Sequence, residues 1–147
     1  MPLRLVLDSN VWLDWLVFDD PAIRLIRQLV ATGKAEIIID AECDAELVRV
    51  LGYPLQKWTL DESAQATCIR QFRSIARSIA PGASGKLPVC RDPDDQKFLA
   101  LASRAGAFCL LTKDRALLKL GKRRHGLPFH IVTPVQFPGL PGVESLQ

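Results

Sequence analysis

The sequence lacks paired cysteines, long apolar runs, internal repeats and a strong charge of either sign, and each absence excludes a class of protein. Cys43, Cys68, Cys90 and Cys109 stand singly, with no Cys-x-x-Cys and no Cys/His cluster. Zinc-ligand spacing is therefore missing, and reduced, mostly buried thiols are expected. Only two histidines occur, His125 and His130, and nothing along the chain pairs either with a nucleophile, so they are read as surface or core residues. The apolar stretch at residues 3–7 is too brief for a signal peptide or a membrane span, and a cytoplasmic location is expected. Lys and Arg number 19 against 16 Asp and Glu, a formal charge of +3, which by itself does not imply a nucleic-acid partner. What is present is 48% hydrophobic and 24% charged, the profile of a chain that folds around its own core. With 147 residues, one core suffices.

Short apolar runs alternate with helical patterns. Residues 3–7 read as a strand with Asp8 directly after it. Asp19 and Asp20 before Pro21 form a helix start, with Ile23, Ile26, Leu29 and Val30 at helical spacing and Gly33 as the stop. Residues 36–39 are a second buried strand, and Asp40 opens a helix carrying Cys43, Leu47, Val50 and Leu51 on one face. Asp61, Glu62 and Ser63 begin a long amphipathic helix through Ile69, Phe72, Ala76 and Ile79, ended by Pro81 and Gly82. After a flexible connection at 82–88, a helix starts at residues 91–95 and runs to about Ala105, with Gly106 at its end. Residues 107–111 form a third core strand, a short helix follows around Leu117 and Leu118, and residues 129–132 form the last strand. Residues 1–137 are expected to form one domain and 138–147 a C-terminal tail. Short buried strands without period-2 alternation, separated by helices, predict an α/β fold: an open, mostly parallel sheet flanked by helices. Such sheets bind ligands beyond the carboxyl ends of their strands, where strand order reverses.

Acids collect at that edge. Asp8 follows the first strand, and Asp114 lies three residues past the third core strand. Asp95 shares a helix face with Phe98, Leu99, Ala102 and Ala105, so its carboxylate points inward and needs a cation, donors or a wet cavity. Glu46 stands at the border of an apolar face, three residues from Cys43 and four from Val50. Converging carboxylates repel unless neutralised, and oxygen-only ligation suits Mg²⁺ or Mn²⁺ rather than zinc. Mg²⁺ needs only one or two carboxylates plus substrate phosphate and keeps waters for activation, a site suited to hydrolysing a phosphodiester.

The stretches Leu7-Asp8-Ser9-Asn10-Val11, Ala45-Glu46-Leu47 through Val50-Leu51, Asp92-Pro93-Asp94-Asp95 through Ala102, and Leu111-Thr112-Lys113-Asp114 resemble the four motif blocks of PIN-domain nucleases, in that family's order. The resemblance spans residues 3 to about 137 and is nearest to the bacterial, VapC-like toxin branch. It implies a parallel sheet flanked by helices, Mg²⁺ or Mn²⁺ held by Asp8, Glu46, Asp95 and Asp114, and cleavage of RNA. It further implies a protein antitoxin, a homodimer, and a role for Asn10 and Thr112 in orienting carboxylates or waters. Ser9 stands where the family often has Thr, and Asp92 and Asp94 compete with Asp95, which is preferred for its inward register. Asp92 is left as a helix cap or an outer metal ligand.

Each acid also has a plainer reading, because Asp92, Asp94, Asp95 and Asp114 lie near helix starts, where carboxylates cap amides. Lys119, Lys122, Arg123, Arg124 and His125 form a basic group suited to gripping RNA phosphates, whereas Arg70, Arg73 and Arg77 read as a solvated helix face. Trp12, Trp15 and Trp58 fit a core or dimer role better than base stacking. Two rival functions remain. A phosphohydrolase of the haloacid-dehalogenase type would want a second Asp where Asn10 stands. A non-catalytic module would use the acidic pocket only to hold a partner's arginine.

Overall fold

Period-2 alternation is missing from residues 3–7 because both sides of that segment are covered, and Leu5 and Val6 are wholly buried. The computed structural model describes residues 1–55, 59–122 and 126–147. Leu3–Leu7 (β1), Ala35–Ile39 (β2), Ala76–Ser78 (β3), Cys109–Leu111 (β4) and His130–Val132 (β5) form one five-stranded sheet in the order β3-β2-β1-β4-β5. Every pairing is parallel, with Leu5 opposite both Ile37 and Cys109. The helices among the described residues are Ser9–Leu16 (α1), Arg24–Ala31 (α2), Ala41–Leu51 (α3), Glu62–Ile75 (α4), Gln96–Ala105 (α5) and Arg115–Lys122 (α6). Because all three residues of β4 are fully buried, helices must cover both faces of the sheet. The expected α/β class is the observed one.

The chain runs outward from β1 to β2 and β3, then returns to lay β4 and β5 on the other side. Strand order therefore reverses between β1 and β4. The amide of Asp8 donates to the Leu111 carbonyl at 3.1 Å, so the two acid-bearing strand ends lie side by side at this reversal.

Three elements differ from the sequence reading. Residues 9–16 carried no assigned element, yet α1 forms there, with Asp8 as its N-cap accepting from the Val11 amide at 2.9 Å. Its Val11, Trp12, Leu13 and Trp15 are all buried, so the helix shows no clear polar face from which its period could be read. Trp12 packs on Trp15 and Phe72 with ring centroids 5.7 and 5.9 Å apart, which assigns both tryptophans to the core. The long helix ends at Ile75 rather than Ile79, and Ala76–Ser78 instead pairs with β2, whose open edge outweighs local helical propensity. The segment expected as a C-terminal tail, 138–147, carries a 3₁₀ turn at Glu144–Leu146, and its Val143 is wholly buried.

Two glycines matter to the packing. Gly106 closes α5 in the left-handed region at φ 60°, its amide reaching the Ala102 and Ser103 carbonyls. At Gly121 a Cβ would lie 2.9 Å from the Ile131 Cβ, so α6 approaches β5 more closely than any other residue allows. All four cysteines are free and buried, as expected from their spacing.

Candidate active site

Asp8 ends β1 and is buried to 3% exposure. One carboxylate oxygen accepts from the Val11 amide and the other from the Thr112 hydroxyl. Burial pushes its pKa up to about 6, although the Thr112 and Val11 hydrogen bonds and the nearby Lys113 charge work the other way. Thr112, itself fully buried, also accepts from the Asp114 amide at 2.9 Å, so one hydroxyl ties the two acid-bearing strand ends together. Asp114 in turn accepts from the Ala116 and Leu117 amides at 2.9 and 3.1 Å, which fixes its carboxylate at the start of α6.

Asp95 enters from the far side, at the end of a 3₁₀ turn, Pro93–Asp95, that leads into α5. Its side chain makes no capping hydrogen bond, and its Oδ2 is a buried oxygen with no partner among the described residues. Burial first, then the charges of Asp114, Asp92 and Asp8, raise its pKa to about 7. Asp8, Asp95 and Asp114 are thus within mutual electrostatic reach. Asp92 is exposed and caps the 3₁₀ turn by accepting from the Asp94 amide at 3.0 Å.

Glu46 is held differently. Lys97 Nζ lies 2.8 Å from its Oε1, and the Ser9 hydroxyl donates to Oε2 at 2.5 Å. No spacing along the chain points to the Lys97 partnership, because packing α3 against α5 is what creates it. Lys113 is a second unforeseen cation. It pairs with the buried Asp14 at 2.8 Å while its charge also reaches Asp8. Asn10 is exposed, and among the described residues its side chain makes no hydrogen bond to any of these acids. Lys122 is exposed and lines a cavity between α6 and β5, while Arg123, Arg124, His125 and Trp58 lie outside the described residues. The arginine stripe is broken up: Arg73 pairs with Asp44 at 2.8 Å, and Arg77 sits on β3 facing Glu36 at 3.5 Å.

A hard divalent ion fits this donor set. All the groups are oxygens, one buried carboxylate oxygen lacks any donor, and the mutual repulsion of three acids would be relieved by positive charge. Among the described residues no group of three or more His, Cys, Asp or Glu side chains is placed so that it could hold a metal ion, as a cage built by the protein alone would need. Mg²⁺ does not require one, since it binds through one or two carboxylates together with waters and substrate phosphate.

Among known proteins, the family model described as PIN domain matches residues 4–116. A solved structure of VapBC2 from Rickettsia felis, bound to a DNA fragment from their promoter, is similar in fold at a TM-score of 0.60. It shares 14% identity, and the match covers 88% of this chain and 97% of the other. No curated protein sequence matches the chain.

Proposed function

Because the chain belongs to the PIN-domain family, whose members are generally nucleases, we propose that it is a divalent-metal-dependent endoribonuclease acting at the Asp8, Asp95 and Asp114 cluster. The observation that carries this reading is the Asp95 oxygen, buried without a donor beside two further acids at the point where strand order reverses. An acid kept in that state costs stability, and a site that retains it is poised for a cation.

In this reading Asp8, Asp95 and Asp114 hold Mg²⁺ or Mn²⁺. The ion would supply a Lewis acid for the scissile phosphate and lower the pKa of an attacking water. The chain's own residues fix the geometry. Thr112 and the Val11 amide orient Asp8, and the first amides of α6 orient Asp114. Glu46, the fourth acid, borders the cluster with its charge neutralised by Lys97 and serves as an outer ligand or a substrate contact once that pair loosens. Asp92 adds negative charge at the rim. The exposed Lys122 is proposed to meet RNA phosphates together with Arg123 and Arg124.

The proposal extends to a cytoplasmic toxin of a toxin–antitoxin pair, active as a homodimer and restrained by a protein antitoxin. Residues 1–137 are taken as the nuclease unit, with 138–147 as its C-terminal segment. No helix among the described residues is long and apolar enough to cross a membrane.

The test is cleavage of a mixed RNA pool in Mg²⁺, in Mn²⁺ and in chelator by wild type, Asp8→Asn and Asp95→Asn. Metal-dependent cleavage by wild type alone supports the reading. Identical behaviour of all three proteins under every condition refutes it.

A further inference from the structure

A second feature lies near the acid cluster, and of its cations only Lys119 was singled out from the sequence. A cleft of about 430 Å³ opens between the connection before Asp92 and the outer side of α6, lined by Val89, Arg91, Arg115, Ala116, Lys119 and Leu120. Its size falls within the range of small-ligand sites. The three cations are exposed, and none forms an ion pair or a side-chain hydrogen bond among the described residues. Arg73, Arg104, Lys97 and Lys113 meet carboxylates at 2.8 Å, whereas Arg24, Arg49 and Arg70 form no ion pair among the described residues but stand apart on separate helices, so what marks the cleft is three such cations on one concave wall. Three unpaired cations on one concave wall repel one another, a cost that a bound polyanion removes.

Position ties the cleft to the chemistry. Arg91 immediately precedes Asp92, and Arg115 immediately follows Asp114. The wall between them is not loose, because the Gln96 side chain accepts from the Cys90 amide at 2.7 Å and donates to the Pro88 carbonyl at 3.1 Å. That anchor belongs to the residue after Asp95, so cleft and acid cluster share one support. The buried Cys90 side chain lies within electrostatic reach of Asp92, Asp95 and Asp114, so the wall and the acids are near one another. The apolar contribution is also suited to a nucleotide: Val89 is 84% exposed at the rim, a side chain left in water at a place where it could face a base.

We propose that this cleft seats the nucleotide next to the scissile phosphate of a single-stranded RNA. Its backbone phosphate lies against Arg91, Arg115 and Lys119, and its base lies on Val89. The identity of the polymer rests on the nuclease reading above, whereas the location of the cleft does not. Negative acids and positive cleft then divide the work: the cleft draws in the flanking phosphate that the acids alone would repel. Arg suits this task because its planar fork matches phosphate oxygens, and such contacts hold the strand in register without reading its sequence.

The experiment measures binding of a short fluorescein-labelled RNA of mixed sequence, in chelator so that nothing is cut, across a salt series. Wild type is compared with the triple variant Arg91→Gln, Arg115→Gln, Lys119→Gln. A charge-matched control carries Arg24→Gln, Arg49→Gln and Arg70→Gln, all on exposed helix positions. The cleft variant should bind roughly 10- to 100-fold more weakly, and its salt slope should fall by about 0.7 for each phosphate that is no longer neutralised. The control should stay near wild type. A second readout needs no variant: bound RNA should protect Lys119 of the wild-type protein from acetylation more than Lys34. Equal weakening in variant and control, no binding by wild type, or unprotected Lys119 would each overturn the proposal. RNA held in the cleft but left uncut in Mg²⁺ and Mn²⁺ would retain the binding site and remove the nuclease reading. Metal-dependent cleavage with full affinity in the cleft variant would do the reverse.

Discussion

The ends of β1 and β2 are written in the same way and behave in opposite ways. Each strand closes on an aspartate, Asp8 or Asp40, that is buried to 3% or 5% and caps the following helix by accepting an amide at 2.9 Å. Asp40 also receives Arg104 at 2.8 Å, and although burial opposes ionisation, its hydrogen bonds from Cys43 and Arg104 hold its pKa below the usual carboxylate value. Asp8 receives only the neutral Thr112 hydroxyl at its other oxygen, and burial pushes its pKa up to about 6. One acid is a finished structural joint. The other is left short of positive charge and stands beside two more acids. The strand-Asp-helix pattern therefore does not by itself distinguish the proposed metal ligand Asp8 from Asp40; the lack of a direct cationic partner does.

The sharpest way to break the comparison is to remove charge at each end. Asp8→Asn and Asp95→Asn should each lower metal-dependent RNA cleavage by about 10³-fold, corresponding to several kcal/mol of lost transition-state stabilisation. Asp40→Asn should leave the chemical step in place, and single-turnover cleavage with Mn²⁺ would separate the two ends. Removing the cation at β2 has the next largest effect. Arg104→Gln strands a mostly buried Asp40 and should cost about 3 kcal/mol of stability, read by denaturant unfolding. A cost near zero would mean that the two acids do not differ in the way described.

Thr112→Val sharpens the comparison from the β1 side. Removing a hydroxyl that orients a ligand should lower metal affinity or activity by about 10- to 100-fold. That hydrogen bond lowers the Asp8 pKa, so the acid limb of the pH–rate profile should move to higher pH without it. A profile that does not move would assign Thr112 to packing alone.

The smallest effect is thermodynamic. The folded pKa values of Asp8 and Asp95, about 6 and about 7, lie above the ordinary 3.8, so in that window the folded state binds more protons than the unfolded state. Their contribution to stability therefore falls as pH rises from about 4 to 7. Asp40 contributes with the opposite sign and loses its effect on acidification. Without metal, Asp95→Asn should melt higher than wild type at pH 8 by several degrees, given about 2–4 °C per kcal/mol in a chain of this size. The difference should shrink toward pH 4 and be reduced by Mn²⁺, which stabilises wild type but not the variant. A difference independent of pH would show that Asp95 does not carry the stored repulsion.

Much of the molecule was set locally, and so could be read from its sequence. Apolar runs at 3–7, 36–39 and 107–111 pointed to buried parallel strands, because a strand covered on both faces has no reason to alternate. Asp8 and Asp114 at strand ends and Asp95 in an inward helical register follow from periodicity, and in the fold all three lie within electrostatic reach of one another. Local rules failed where a distant edge or partner decided the outcome. Residues 76–78 carry a helical pattern and became a strand because β2 offered an open edge. Glu46 was read as a fourth member of the acid cluster, and packing of α3 on α5 gives it a partner that spacing did not show, Lys97, across 51 positions of chain. The cleft of Arg91, Arg115 and Lys119 likewise exists only once Gln96 at the start of α5 latches the connection at 88–90 and α6 packs across from it. Spacing along a chain specifies which face a side chain takes. Whether a buried charge finds a counter-charge depends on how remote segments pack together, and for this protein that settled which acids became joints and which were left open to a cation.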